Sequence, residues 1–255
     1  MRVATWNVNS LKVRLPQVLD WLAERQPDIL ALQETKLTDE NFPAADLLAA
    51  GYQPLYSGQK TYNGVAILSR EPATAVLRDI PGLEDPQRRI LIASVGPLRI
   101  INLYVVNGQE VGSDKYRHKL AWLAAVTAHI ETELATHPHV VVMGDFNIAP
   151  DDRDVHDPEA WRERILCSTP EREALGAMVS LGLEDTFRRF NQEPGTFSWW
   201  DYRAAGFRRN LGLRIDLILA SEGLARACTA CYVETAPRRL ERPSDHAPVV
   251  AEFDL

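Results

Sequence analysis

Val140-Val-Val-Met-Gly-Asp-Phe-Asn147 decides how this 255-residue chain is read. Its first four residues are apolar and mostly β-branched, which suits a strand buried on both faces. Gly144 breaks the run, and Asp145 and Asn147 follow within three residues. In an open α/β sheet, ligands bind at the carboxyl ends of the strands. A carboxylate and a carboxamide placed there can hold a metal, a water or a phosphate. A strand that simply stops in an Asx turn would read the same way, because Asp and Asn hydrogen-bond their own backbone in turns. The choice rests on whether other strands end alike.

Working outward, they do. Arg2-Val-Ala-Thr-Trp-Asn7 reads as a strand ending on Asn7, with Asn9 just beyond. Leu15, Val18, Leu19 and Leu22 then mark one face of a helix packed on a sheet, with Pro16 in its first turn. Asp28 to Lys36 is an apolar strand that closes on Gln33 and Glu34. The layout recurs downstream. Leu98 to Val106 is a strand carrying Tyr104 near its end, and Tyr116, Leu120, Leu123, Val126, Ile130 and Leu134 line a long helix before the Asp145 strand. The two halves suggest a weak duplication of architecture.

Further strands are expected at Gly64–Ser69 and Arg89–Val95, and a helix from Thr169 with Leu175, Met178 and Val179 inward. Ala149 to Cys167 is polar and irregular, and reads as a surface excursion near the site. No linker or compositional shift interrupts the chain, so residues 1–255 are expected to form a single α/β domain.

The totals exclude several classes. A hydrophobic share of 45% with 25% charged residues is ordinary globular composition. No stretch approaches the roughly 20 apolar residues of a membrane helix, and no secretory signal precedes the first strand. Three cysteines suit a reduced cytoplasmic protein. Cys228-Thr-Ala-Cys231 lacks the second ligand pair that zinc needs, and small buried thiols are expected there. The net charge of −7 argues against a protein that coats nucleic acid. It does not exclude an enzyme that presents one basic face.

The polar residues at strand ends are Asn7, Glu34, Tyr104, Asp145, Asn147, Asp216, Asp245 and His246. Asp216 lies within the apolar run Ile215-Asp-Leu-Ile-Leu219, where an ionised carboxylate is costly without a cation, a metal or a charged histidine. Carboxylates and carboxamides without thiolates suit a hard cation such as Mg²⁺ or Mn²⁺. A single histidine beside them suits proton management or charge stabilisation at phosphate. From Tyr202 to Ile215 the chain has Arg203, Arg208, Arg209 and Arg214 and no acid, following Trp199 and Trp200. Trp200 is read as core. Trp199 and the arginines are read as contacts to a phosphate backbone and an unstacked sugar or base. Arg88-Arg89 and Lys115 to Lys119 would extend that basic face.

Trp6-Asn-Val-Asn9, Leu32-Gln-Glu-Thr-Lys36, Gly144-Asp-Phe-Asn147, Ser198-Trp-Trp-Asp-Tyr-Arg203, Gly212-Leu-Arg-Ile-Asp216 and Ser244-Asp-His246 resemble the exonuclease III family of abasic-site endonucleases, within the endonuclease/exonuclease/phosphatase superfamily. The resemblance covers essentially the whole chain. It implies a four-layer α/β sandwich of two packed mixed sheets flanked by helices. It implies Mg²⁺, with Mn²⁺ able to substitute, held chiefly by Glu34 with Asn7 and Asp245 nearby and Asp145 and Asn147 adjoining. Asp145 would position or deprotonate the attacking water, and Asn147 would bind the scissile phosphate. His246, oriented by Asp216, would stabilise developing charge, and Tyr104 would bond a phosphate oxygen or assist the leaving group. Trp199, Leu213 and Ile215 would line a pocket for a flipped, baseless sugar.

The implied substrate is duplex DNA with abasic or blocked 3′ ends, cut 5′ to the lesion by a cytoplasmic monomer, nucleoid-associated if bacterial. Asn107 matches the family, but Val105-Val-Asn-Gly108 lacks a proline common there, and Glu110 stands where some relatives carry a base. His156 would lie near the 3′ side of the cut and set the balance of endonuclease and exonuclease activity; a solvated loop histidine is the plainer reading. Competing functional readings are a superfamily phosphoesterase acting on RNA, inositol phosphates or lipid headgroups, a non-catalytic DNA-binding module, and a redox or zinc protein built on Cys228 and Cys231.

Overall fold

The alternation of short apolar runs with amphipathic helices becomes, in a computed structural model that describes residues 1–83 and 85–255, two six-stranded mixed sheets stacked face to face. In the first half, β1 (Arg2–Asn7) is joined through α1 (Leu11–Arg25) to a parallel neighbour, β2 (Ile29–Gln33). A short helix, α2 (Ala44–Ala49), precedes β3 (Gln53–Ser57) and β4 (Val65–Ser69). The second sheet begins with β5 (Thr74–Leu77) and β6 (Ile90–Val95). There β7 (Leu98–Tyr104) passes through α3 (Asp114–Thr136) to parallel β8 (Val140–Asp145).

The chain then makes α4 (Pro158–Trp161), α5 (Thr169–Val179), β9 (Leu183–Asp185) and α6 (Thr186–Phe190). A small ribbon of β10 (Trp199–Trp200) and β11 (Gly212–Leu213) leads into β12 (Asp216–Ser221). After α7 (Glu222–Arg226), β13 (Cys228–Val233) and β14 (Val249–Phe253) return to the first sheet. Strand orders are β13-β14-β1-β2-β4-β3 and β5-β6-β7-β8-β12-β9. In each sheet a parallel pair is flanked by antiparallel strands, so the expected duplication is present in the topology.

Alternation along each strand builds the layers. Ile29 and Ala31 face the other sheet, where Ile100, Val141, Met143 and Ile218 share the same apolar layer. Leu30 and Leu32 face outward and pack with Val18, Trp21 and Leu22 of α1. On the far side Trp122, Leu123, Val126 and Ile130 of α3 cover Val140 and Val142. The result is helix, sheet, sheet, helix. One polar pin crosses the centre: Gln33 Nε2 donates to Asn102 Oδ1 at 2.8 Å, and Asn102 Nδ2 donates to the carbonyls of Leu32 and Ala66 at 3.1 and 2.9 Å.

Three local expectations are corrected. Helix α1 starts at Leu11, so Pro16 lies inside it rather than in its first turn. Gly144 does not break β8; it lies within the strand at φ 146°, and a Cβ there would stand 1.9 Å from the Leu103 carbonyl oxygen. The segment from Ala149 to Cys167 is not merely a surface excursion. Val155, Leu166 and Cys167 are buried with Leu213 and Ile215, and Asp154 is fully enclosed.

Candidate functional site

Pairing geometry gathers the polar residues. Asn7 and Gln33 end the parallel strands β1 and β2, and Glu34 follows at once with a left-handed φ of 52°. Antiparallel pairing then brings the beginnings of other strands to the same edge. Asp216, which opens β12, is the register partner of Asp145, which closes β8. Likewise Val249 of β14 pairs with Thr5, so Asp245 and His246, just before that strand, lie beside the end of β1. The constellation is therefore not drawn from equivalent strand ends, as the sequence suggested. It comes from the ends of some strands and the beginnings of their antiparallel neighbours.

The contacts form one connected set. Asn7 Nδ2 donates to Glu34 Oε1 at 2.9 Å and to Asp145 Oδ2 at 2.8 Å. Its own Oδ1 accepts from the backbone N–H of Asn9 at 3.0 Å. Lys36 Nζ lies 2.8 Å from Glu34 Oε2 and donates to Asn9 Oδ1 at 2.5 Å. Asn9 Nδ2 in turn donates to Asp245 Oδ1 at 3.0 Å, and Trp199 Nε1 donates to Asp245 Oδ2 at 3.0 Å. His246 Nδ1 is 2.9 Å from Asp216 Oδ2, while its Nε2 faces Asp145 Oδ2 at 3.8 Å. Ligand atoms of Glu34, Asp145 and His246 lie within 4.8 Å of one another. Asn147, at φ 49°, donates from Nδ2 to the Val105 carbonyl at 3.0 Å and accepts from Asn107 Nδ2 at 3.1 Å.

The electrostatics follow from this packing. Burial raises the Asp145 carboxyl to about 7, with Asp216 and Glu34 adding to the shift and His246 opposing it. Burial alone would discharge His246, but Asp216 and Asp145 outweigh it and raise the imidazole to about 10. Burial also opposes ionisation of Glu34, yet Lys36 and Asn7 hold its carboxyl below the ordinary value. Burial, then the charges of Glu34 and Asp145, push the Tyr104 phenol well above its usual range, so it stays protonated and can donate. Arg89 stacks over the Tyr104 ring, 4.7 Å from its centre. Glu34 and Asp145 present oxygen donors that fit a hard cation.

The pocket residues divide by burial. Leu213 and Ile215 are buried, and the half-buried Trp199 packs against them. His156 lies against the same ribbon, its Nδ1 3.1 Å from the Gly212 carbonyl and its ring edge-on to Trp161. Arg203, Arg208 and Arg209 are exposed, with Arg203 paired to Asp201 at 2.7 Å. Asn107 is exposed. Arg214 is a correction. It is 1% exposed, with Nε 2.6 Å from Asp154 and a terminal nitrogen 2.7 Å from Asp185, so it is a strut inside the fold and not part of a basic face. Lys119 is a second correction, because it is wholly enclosed beside Glu171. In both cases a neighbouring carboxylate distant in sequence makes burial affordable.

Sequence reasoning missed two supporting hydroxyls. Ser198 Oγ donates to Asp216 Oδ2 at 2.6 Å and accepts from the backbone N–H groups of Ile215 and Asp216. Ser244 Oγ donates to the Asn7 carbonyl at 2.7 Å and accepts from the His246 backbone. Both open motifs quoted above for the family resemblance, yet a lone serine there carries no sign of which distant group its hydroxyl will hold.

Comparison with known proteins places these features in context. A model described as the Endonuclease/Exonuclease/phosphatase family matches residues 4–246. The Haemophilus influenzae protein named exodeoxyribonuclease III is 37% identical, over 99% of this chain and 100% of its own. A structure described as the 3′ phosphatase NExo from Neisseria, bound to a product DNA hairpin, is 50% identical with a TM-score of 0.99 and covers 100% of both chains. An AP endonuclease from Archaeoglobus fulgidus is 37% identical with a TM-score of 0.94, again over 100% of both.

Proposed function

The chain belongs to the endonuclease/exonuclease/phosphatase family, in its exonuclease III branch, and from that premise we propose that it is a metal-dependent DNA-repair phosphoesterase that clears and resects 3′ ends and also cuts 5′ to abasic sites. The carrying observation is the seam where Asn7 joins Glu34 to Asp145 while Asp216 holds His246 against the same carboxylate. Removing a 3′ phosphate, removing a 3′ nucleotide and cutting before an abasic sugar all break a bond from phosphorus to a 3′ oxygen. One site can therefore serve all three. They differ in what the departing phosphate carries.

Mg²⁺, or Mn²⁺ in its place, would be held by Glu34 and Asp145 and would neutralise phosphate oxygens. Asn7 keeps those two carboxylates together, which otherwise repel. Asp145 orients a water for in-line attack and accepts its proton. His246, fixed by Asp216 through Nδ1, directs the Nε2 proton at a phosphate oxygen, where negative charge grows. Asn147 offers its second amide hydrogen to the phosphate. Tyr104, still protonated, donates to a phosphate oxygen or to the departing 3′ oxygen. Asp245 fixes the Trp199 indole at the pocket wall, and the wall of Trp199, Leu213 and Ile215 receives the sugar. Asn107, Arg203, Arg208 and Arg209 are assigned to the DNA backbone. Among curated and structural relatives, the 3′ phosphatase at 50% identity favours 3′-end clearing as the leading activity.

The test uses 5′-labelled duplexes bearing a nick with a 3′ phosphate, a recessed 3′ hydroxyl or an abasic analogue, each with Mg²⁺ or with EDTA. Mg²⁺-dependent loss of the 3′ phosphate, faster than cleavage at the abasic analogue, is expected. Absence of cleavage on all three, with turnover of an inositol phosphate, would replace this reading with the small-molecule phosphoesterase.

A further inference from the structure

Lys119 is the one lysine of α3 that points into the protein, with no exposed surface. Its ammonium has three protons and three partners. One goes to the carboxylate of Glu171, one to the backbone carbonyl of Asn147 at 2.7 Å and one to that of Asn107 at 3.1 Å. These carbonyls belong to the two asparagines that also bond each other through their side chains. Asn147 adopts a left-handed φ of 49°, which asparagine tolerates better than most side chains, and its backbone N–H donates to Asp145 Oδ1 at 2.9 Å. A single buried cation thus holds both sides of the Asn107–Asn147 contact, in the loops that follow β7 and β8, from behind.

Glu171 is fixed in turn. It accepts from the backbone N–H of Leu166 and of Ser168 at 3.1 Å each, and from Ser168 Oγ at 2.7 Å. The same hydroxyl meets Tyr116 of α3 at 2.7 Å. The pair therefore locks α3 and α5 to the loop that follows β8. Its charge cannot be explained as a surface contact, and an apolar pair of similar volume would fill the space with less desolvation. What an apolar pair could not supply is a directed donor to two carbonyls.

We propose that Lys119, seated by Glu171, is a positioning residue that sets the Asn147 carboxamide for the scissile phosphate. This rests on the role given above to Asn147. Lys119 touches no substrate and acts through the backbone of Asn147 and Asn107, so its effect falls on the chemical step more than on DNA affinity.

The experiment is a double-mutant cycle on the nicked 3′-phosphate duplex at saturating Mg²⁺, with Lys119→Met, Asn147→Ala and the two combined. Lys119→Met is expected to lower kcat by about 10- to 100-fold, the range for lost supporting partners, with KM changed by less than about threefold. In the Asn147→Ala background the same change is expected to cost less than about threefold. Equal losses in both backgrounds would overturn the proposal and leave Lys119 a general stabiliser, as would an unchanged kcat. Full activity of Asn147→Ala would overturn the role of Asn147 itself, and this inference with it. Should Lys119→Met fail to fold, Glu171→Gln keeps the volume but replaces one accepting oxygen with an amide that cannot accept, so it loosens the seat of the Lys119 ammonium and is expected to show the same non-additive loss.

Discussion

His246 carries its charge because two carboxylates face it in a site without competing solvent. That arrangement has a thermodynamic sign. A histidine raised from 6.5 to about 10 on folding contributes stability that is fully present below its unfolded value and is lost as pH climbs towards 10. Asp145, raised from 3.8 to about 7, also favours its proton in the folded protein, so its contribution is lost as pH rises from 3.8 to about 7. Urea unfolding of the metal-free protein is therefore expected to show stability falling between pH 6.5 and about 10, with a smaller fall in His246→Gln. Parallel curves for the two would contradict the charged imidazole. His156 bears on selectivity instead. It packs on the Gly212 carbonyl behind the Leu213 wall, so His156→Gly is expected to raise abasic cleavage relative to 3′-phosphate removal by about 10-fold, the scale of a modest change in pocket fit. An unchanged ratio makes it a bystander.

Among the elements, β8 shows how tightly the site is built. Gly144 allows β7 to approach where a methyl group would overlap the Leu103 carbonyl. Gly144→Ala should cost about 3 kcal/mol, the upper part of the range for overpacking, read as a lower Tm. Asp154 of the 149–167 segment pairs with Arg214, which follows the ribbon, and with Arg188 of α6. Asp154→Ala leaves Arg214 with Asp185 alone and Arg188 with backbone carbonyls, and should cost about 3 kcal/mol, the lower end for a broken buried pair; near-native stability would show the network to be dispensable. The central strands and the long helices were legible because apolar periodicity is a local signal, and the polar residues around the strand termini flagged the group that the structure brings together. Arg214, Lys119 and Asp154 were not. Their partners lie far away in sequence, and an arginine beside Leu213 reads as surface until Asp154 and Asp185 are seen around it. Gly144 misled for a related reason, since a glycine marks a break or a close approach and only the neighbouring strand distinguishes them.

At the scale of the whole molecule, a net charge of −7 coexists with exposed Arg208 and Arg209. If these meet the DNA backbone, Arg208→Ala should weaken binding to 3′-phosphate and abasic duplexes alike and reduce the slope of log K against log salt by about 0.9. An unchanged slope would remove Arg208 from the contact. The two sheets contribute unequally timed halves of the centre: Asn7, Glu34, Asp245 and His246 belong with the first, Tyr104, Asp145 and Asp216 with the second. The ribosome makes β1 first and β14 last, yet they are side by side, with Arg2 opposite Glu252. While the chain is still emerging, Glu34 and Asp145 exist without the histidine between them. The centre is therefore complete only once β14 has paired with β1 and set Asp245 and His246 beside Asn7.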